Sequence, residues 1–385
     1  MELIGVDTRL HLEDSVAAEP SISVARRASG GTKGRTATMQ AIVKAEAAPG
    51  LEMREVPIPR IGPHDVLVRV RACSICGTDL HIDRWDGAMR ERVKPPLVIG
   101  HEMCGHVVQH GSQVKRLREG DFVSPDSHLP DWECDVCRKG APHLCANLAI
   151  LGVDRPGAYA EYVALPETSL WLNDPHLDPA AASIQDAMGN AVYATLAEPV
   201  AGASVVIFGD GPTGLGAVAV AKAAGAGLVI QVGLSPYLLD IGHRLGADVS
   251  LNAAEPGADI LAAVRQLCGS GADVVLEMSG SQQAIRQGLA ALRPGGRYCA
   301  FGLSTQPVPL DFNNEVIFKG IRIMGITGRL LWDTWEQMAG LLSSGLLDVG
   351  PIITHRLPFS RWRHGFDLLL APERQAAKIV LFMDE

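Results

Sequence analysis

The sequence predicts an α/β protein, built from a β-rich domain followed by a doubly wound parallel sheet. Three observations carry that prediction. The chain has 385 residues, 47% apolar and 20% charged, enough to enclose sizeable cores. From Met39 to about Leu170 the apolar runs are short and broken by Pro, Gly and Asp, as in DVLVRVRAC, HVVQHG and DFVSP, which is the texture of strands and turns. From about Ala194 strand-like runs (SVVIFG, LVIQV, DVVLEMSG, RYCAFG) alternate with Ala-rich helical ones (TGLGAVAVAKAAG, LLDIGHRLG, QQAIRQGLAAL). Such alternation implies a parallel sheet with its ligand across the carboxyl ends of the strands.

Taken in order, residues 1–38 are poor in apolar side chains and end in a Gly/Ser/Thr-rich stretch, so a disordered tail is expected. They carry acids beside SVARRASGGTKGRTATM and lack the apolar core of a signal peptide; Met39 is a possible natural start. Residues 39–190 are expected to form the β-rich domain, with a cysteine lobe at 128–146, and residues 191–327 the nucleotide domain. Residues 328–385, with helical TWEQMAGLLSSG and strand-like KIVLFM, are expected to rejoin the first domain. A net charge of −9 without a basic block argues against nucleic-acid and anionic-membrane partners. The apolar runs fall short of the roughly 18–20 residues of a membrane-spanning helix. Eight cysteines scattered through a long chain suit a reducing, cytoplasmic compartment.

Cys76 in ICGTDLH and His101–Glu102 in IGHE bring thiolate, imidazole and carboxylate into one set. All three suit zinc, and three protein ligands leave a fourth position for a substrate oxygen. By themselves they are equally readable as a buried thiol and a surface turn. Cys134, Cys137 and Cys145 follow the spacing C-x2-C-x7-C, with Asp131 three residues before the first. That is the pattern of a second, structural zinc lobe, in which the carboxylate serves as fourth ligand. A lobe that has lost its metal and a small redox cluster are the alternatives. Cys73 lies three residues before Cys76, on the opposite face of a strand, so the two are not expected on one metal. Cys104, Cys268 and Cys299 have apolar neighbours and read as core thiols.

Gly209-Asp210-Gly211-Pro212-Thr213-Gly214 lies between a strand and a helix, the context in which GxGxxG binds a dinucleotide. The first Gly makes the turn, the second admits the pyrophosphate, and the third lets helix pack on strand; the helix N-terminus favours the phosphate charge. The acid that would bind the adenosine ribose, about 20 residues on, is replaced by Gly233. NAD and NADP both stay open. Ser235 is placed to donate a hydrogen bond to a 2′-phosphate, but no Arg follows closely, since Leu238 and Leu239 occupy that region. Asp240, within LLDIGHRLG, reads as a helix-surface residue.

The order ICGTDLH, IGHE, cysteine lobe, GNAV, GDGPTG and ITGR resembles the zinc-dependent medium-chain alcohol dehydrogenases, from about Met39 to the C-terminus. Within that family, KPPLVIGHE, GVDRPGAYAEY, NNEVIFKGIRIMGITGRLLWDTW and PIITHR are similar to the L-threonine 3-dehydrogenase subgroup. The resemblance implies a GroES-like catalytic domain joined to a Rossmann domain, in a homo-oligomer (tetramer or dimer). It also implies zinc, NAD or NADP, and a small alcohol substrate, L-threonine oxidised at its 3-hydroxyl to 2-amino-3-oxobutyrate. Thr78 and His81 would pass the proton toward solvent, and Asp186 would be an exchangeable zinc ligand or relay acid; without the resemblance it reads as a helix N-terminal acid. Thr213, Phe301, Gly302, Leu303, Ile326 and Thr327 would line the cofactor, and His128 the substrate end of the cleft. Arg329 would meet the cofactor or a carboxylate, or else form a surface salt bridge. Gly233, Leu238, Asp131 and Ala187 depart from the family's acid, Arg, Cys and Pro. These departures leave room for another amino alcohol or a polyol as substrate. Outside the class, the alternative is a non-catalytic nucleotide-binding protein.

Overall fold

Strand Asp65–Ser74 organises the first domain. Its sequence alternates, so Val68, Val70 and Ala72 are buried while Arg69 and Arg71 face solvent. In the computed structural model, which describes residues 37–384, this strand pairs on one side with Met103–His110. On its other side Tyr162–Pro166 pairs along residues 65–69 and Lys378–Phe382 along residues 72–74, both antiparallel. The sheet runs Leu170–Leu172, Phe122–Pro125, Met103–His110, Asp65–Ser74, Lys378–Phe382, Ile353–Pro358. The last strand of the chain thus lies beside the residues that lead into Cys76. The expected tail falls outside the described residues except for 37 and 38, and Thr38 already opens a strand, Thr38–Lys44.

The second sheet has six parallel strands in the order Val249–Asn252, Leu228–Gly233, Ser204–Phe208, Ala272–Glu277, Leu292–Ala300, Arg322–Gly325. Helices cover both faces, so central strands are apolar throughout: Val205, Val206 and Ile207 are all fully buried. Strand order reverses between Ser204–Phe208 and its two neighbours, which opens a crevice at their carboxyl ends.

The expected boundary between residues 190 and 191 is corrected, because one helix, Gln185–Leu196, runs through it. This helix is buried on several faces. Met188, Ala191 and Val192 share a core with Leu215 and Val218 of helix Pro212–Ala223, where Gly216 allows close approach: a Cβ there would lie 3.1 Å from that of Ala191. Within the segment 328–385, Trp335 meets Trp171 and Asp126 of the first domain. Helix Asp333–Ser343 packs Trp335 and Met338 into that same core, and only Ile353–Pro358 and Lys378–Phe382 enter the first sheet. No helix among the described residues is long and apolar enough to cross a membrane.

Candidate active site

Cys76 is the N-cap of helix Gly77–Arg84, and its own backbone N–H donates to Asp79 Oδ2 at 2.9 Å. Asp79 is fully buried and its Oδ2 also accepts the Tyr159 hydroxyl at 2.6 Å. His101 and Glu102 arrive on the turn after strand Leu97–Val98, where Gly100 adopts φ +91° and a Cβ would strike the Tyr159 ring at 2.2 Å. Ligand atoms of Cys76, His101 and Glu102 all lie within 4.8 Å of one another. His101 Nδ1 stands 3.7 Å from Asp79 Oδ1, an orientation that turns Nε2 toward Cys76.

Two partners hold the Glu102 carboxylate: the Ser74 hydroxyl and the Lys378 ammonium both donate to Oε2. Its Oε1 is buried with no hydrogen-bond partner, as are His101 Nδ1 and Asp79 Oδ1. Burial opposes charge on the His101 imidazole, yet Asp79, Cys76 and Glu102 outweigh it and raise the pKa to about 10. A pocket this anionic, with an orphaned carboxylate oxygen, fits a divalent cation. Thr78 Oγ1 lies 4.0 Å from Cys76 Sγ, while His81 is half exposed with Nδ1 2.7 Å from Asp86 Oδ1.

In the cysteine lobe the ligand atoms of Asp131, Cys134, Cys137 and Cys145 again lie within 4.8 Å of one another. Cys134 Sγ is 3.5 Å from Cys137 Sγ and 3.8 Å from Cys145 Sγ, and Asp131 Oδ1 is 3.5 Å from Cys137 Sγ. A tetrahedral zinc demands roughly 3.8 Å between sulfurs and roughly 3.5 Å between sulfur and oxygen. Backbone N–H groups of Cys137 and Ala146 donate to Cys134 Sγ, and that of Asn147 to Cys145 Sγ. The Asn147 side chain donates to Asp131 Oδ2 at 2.6 Å; it and the N–H groups of Cys134 and Glu133 lower the Asp131 pKa, keeping the carboxylate ionised. Both sites therefore suit zinc.

The glycine loop follows strand Ser204–Phe208 and opens helix Pro212–Ala223, placing Thr213 in that helix's first turn. A Cβ on Gly214 would meet Gly209 O at 2.3 Å, whereas one on Gly211 would meet nothing within 4 Å, so backbone faces open space there. That space is a 350 Å³ cleft reached by Gly209, Asp210, Gly211, Gly233, Met278 and Arg374. Phe301 and Gly302 follow strand Leu292–Ala300 and both donate to Glu277 O at 3.0 Å. Leu303 projects into solvent, and Ile326 and Thr327 follow strand Arg322–Gly325. All of these positions lie at the carboxyl ends of the parallel strands, where a dinucleotide fits.

Residues 62–174 match the alcohol dehydrogenase GroES-like domain, and residues 212–344 match the zinc-binding dehydrogenase domain. The chain belongs to the zinc-binding alcohol dehydrogenases. The L-threonine 3-dehydrogenase of Symbiobacterium thermophilum is 47% identical over 349 residues, 90% of this chain and 98% of that protein. That of Bacillus subtilis is 44% identical over 345 residues, 89% of this chain and 98% of that protein. Among solved structures, alcohol dehydrogenase TADH from Thermus sp. ATN1 has TM-score 0.81 at 29% identity, covering 90% of this chain and 100% of that one.

In this zinc-binding dehydrogenase Arg329 is not a surface residue, and the groups it pairs with are carboxylates. It is 1% exposed and chelates Asp126 through Nε at 2.7 Å and Nη2 at 2.6 Å, with a further pair to Asp186 at 2.8 Å. Trp335 Nε1 also donates to Asp126, at 2.8 Å. Asp186 receives the Ser127 N–H at 2.7 Å and hydroxyl at 3.1 Å, and its oxygens lie outside the Cys76–His101–Glu102 group. It takes part in a buried ion-pair network, and burial raises its pKa to about 6 despite Arg329. His128 abuts Gly328, and burial together with Arg329 lowers its pKa to about 4. Ser235, expected to meet a 2′-phosphate, instead donates to Arg374 O at 3.0 Å and caps helix Pro236–Arg244 through the Leu238 N–H. Asp240 lies on that helix, 3.3 Å from Arg244.

Sequence reasoning missed Asp79, Ser74, Lys378 and Asp126. Asp79 had a signal, since an acid three residues after a helix-opening Cys makes a capping box. Lys378 had a fainter one, a lone cation heading the apolar run IVLF.

Proposed function

We propose that this dehydrogenase oxidises the 3-hydroxyl of L-threonine to 2-amino-3-oxobutyrate and passes hydride to a nicotinamide dinucleotide. One observation carries the reading: Cys76, His101 and Glu102 are gathered within 4.8 Å in a chain 42–47% identical to L-threonine 3-dehydrogenases over nearly their full length. Zinc bound there supplies a Lewis acid that lowers the pKa of a substrate hydroxyl. The chain's own residues do the rest. Asp79 orients His101, while Ser74 and Lys378 fix one oxygen of Glu102 and leave the other free. Thr78, beside Cys76, receives the substrate proton, and His81, exposed and paired with Asp86, delivers it to water. Gly209, Gly211 and Gly214 seat the pyrophosphate.

The test is absorbance at the reduced-nicotinamide band, with L-threonine and a panel of amino alcohols and polyols offered with NAD and with NADP. Threonine-dependent reduction that disappears in Cys76→Ser supports the proposal; reduction by a polyol but not by threonine refutes its substrate. A homo-oligomer is supported by the exposed apolar residues Phe312, Ile317, Phe318 and Ile323 beside the edge strand Arg322–Gly325, and light scattering checks it. Eight free cysteines agree with a cytoplasmic setting.

A further inference from the structure

The adenosine end of the dinucleotide cleft holds an arrangement that the loss of the strand-end acid alone does not explain. Three donors converge there on one side chain. The backbone N–H groups of Leu234 and Ser235 each donate to Asp210 Oδ2 at 2.8 Å, and Arg374 Nη2 donates to Asp210 Oδ1 at 2.6 Å. Two adjacent amide N–H groups and a guanidinium make a cradle for a tetrahedral or planar anion. The carboxylate that fills it is 5% exposed, whereas the Arg374 side chain is 41% exposed and lines the cleft. Arg374 is itself held at φ +49°, with its carbonyl accepting the Ser235 hydroxyl.

Gly233 is part of the same arrangement. A Cβ at 233 would stand 2.6 Å from Asp210 Cβ and 2.8 Å from Asp210 Oδ2. An acid at the end of strand Leu228–Gly233 and an Asp in the glycine loop therefore exclude each other sterically. The chain has the second, so its negative charge reaches the ribose pocket from the loop instead of the strand.

We propose that Asp210 is the residue that sets cofactor preference: it occupies the anion cradle of Leu234, Ser235 and Arg374, and so selects NAD over NADP. The proposal rests on the dehydrogenase reading above. A 2′-phosphate carries charge of the same sign as the carboxylate and needs the same donors, so it must displace Asp210 from them; a 2′-hydroxyl needs only a free lone pair on it. Arg374 has a double character. While Asp210 is present it neutralises the carboxylate, and once Asp210 is gone it is the cation that would grip a phosphate.

The experiment measures dissociation constants of NADH and NADPH by nicotinamide fluorescence, in the full chain and without substrate. Wild type is expected to bind NADH at least about tenfold more tightly than NADPH. Asp210→Ala should tighten NADPH by about tenfold or more, and adding Arg374→Ala should abolish that gain. Arg374→Ala alone, at an exposed side chain, leaves Asp210 unneutralised and should weaken NADPH further while NADH changes little; it serves where Asp210→Ala does not fold. Equal binding of the two nucleotides by wild type overturns the proposal. So does a ratio that Asp210→Ala leaves unmoved, or an Arg374→Ala protein whose NADPH affinity is unchanged. Binding of neither nucleotide overturns the dehydrogenase reading and this proposal with it, whereas tight NADH binding with an unmoved ratio overturns the proposal alone.

Discussion

Replacing Lys378 by Met tests how the Glu102 ligand is held. Lys378 and Glu102 are only 2% and 1% exposed, and among the described residues the ammonium is the one cation paired with the carboxylate. After Lys378→Met, Glu102 keeps the Ser74 hydroxyl, and its Oε1 is unpartnered already. Removing one member of a buried ion pair costs about 3–5 kcal/mol, most of it the penalty of the charge left behind. Zinc at Cys76, His101 and Glu102 would supply a replacement positive charge, so the cost should shrink when the metal is bound. If about 4 kcal/mol in the chelated protein falls to about 1.5 kcal/mol in the zinc-loaded one, the thermodynamic cycle requires the variant to bind zinc about 2.5 kcal/mol more tightly, or roughly 70-fold. The assay is guanidinium unfolding of wild type and variant, each with zinc chelated and with zinc supplied, alongside zinc competition with a chromophoric chelator. A loss below about 1 kcal/mol in the chelated protein, or an equal loss in both states, would refute the reasoning.

His128 gives a pH prediction. Its pKa in the fold, about 4, lies below its ordinary 6.5, so the folded protein binds fewer protons than the unfolded chain between those values. The stability concerned is present above about pH 6.5 and is lost as pH falls through about 4, to the extent of about 3 kcal/mol. His128→Gln should remove that part of the acid sensitivity, as seen by denaturant unfolding at a series of pH values; an unchanged slope speaks against it. In the cysteine lobe, Asp131→Ala should lower zinc content by one ion per chain after dialysis against a chelator, and Asp131→Cys should slow zinc release. Metal analysis that finds the same content and exchange rate in all three proteins would remove Asp131 from the ligand set.

Elements whose evidence is local were legible in the sequence. Strand Ser204–Phe208, the glycine loop and helix Pro212–Ala223 announce themselves by an apolar run, three glycines and an Ala-rich segment in immediate succession. The cysteine lobe is equally local, since the four residues that could hold a metal span only 131–145. The domain boundary at 190/191 failed for a definite reason. Helix Gln185–Leu196 is small and apolar on several faces and lies in one core with Ala72 and Cys104 on one side and Leu215 and Val218 on the other, and nothing in its composition marks a break. Which carboxylates Arg329 meets was not legible, because Asp126 and Asp186 lie 203 and 143 residues away in the chain.

By itself the sequence determined residue chemistry and spacing: a thiolate in ICGTDLH and an imidazole and a carboxylate in IGHE, a GxGxxG between strand and helix, a glycine where an acid is usual. Tertiary structure alone decided which charges meet. Lys378 reaches Glu102 because the last strand pairs with Asp65–Ser74, and Arg374 reaches Asp210 because the loop before that strand passes over the nucleotide cleft. Both pairings join residues more than 160 positions apart. Charge pairing depends on distance in space and on exclusion of water, and neither can be read from distance along the chain.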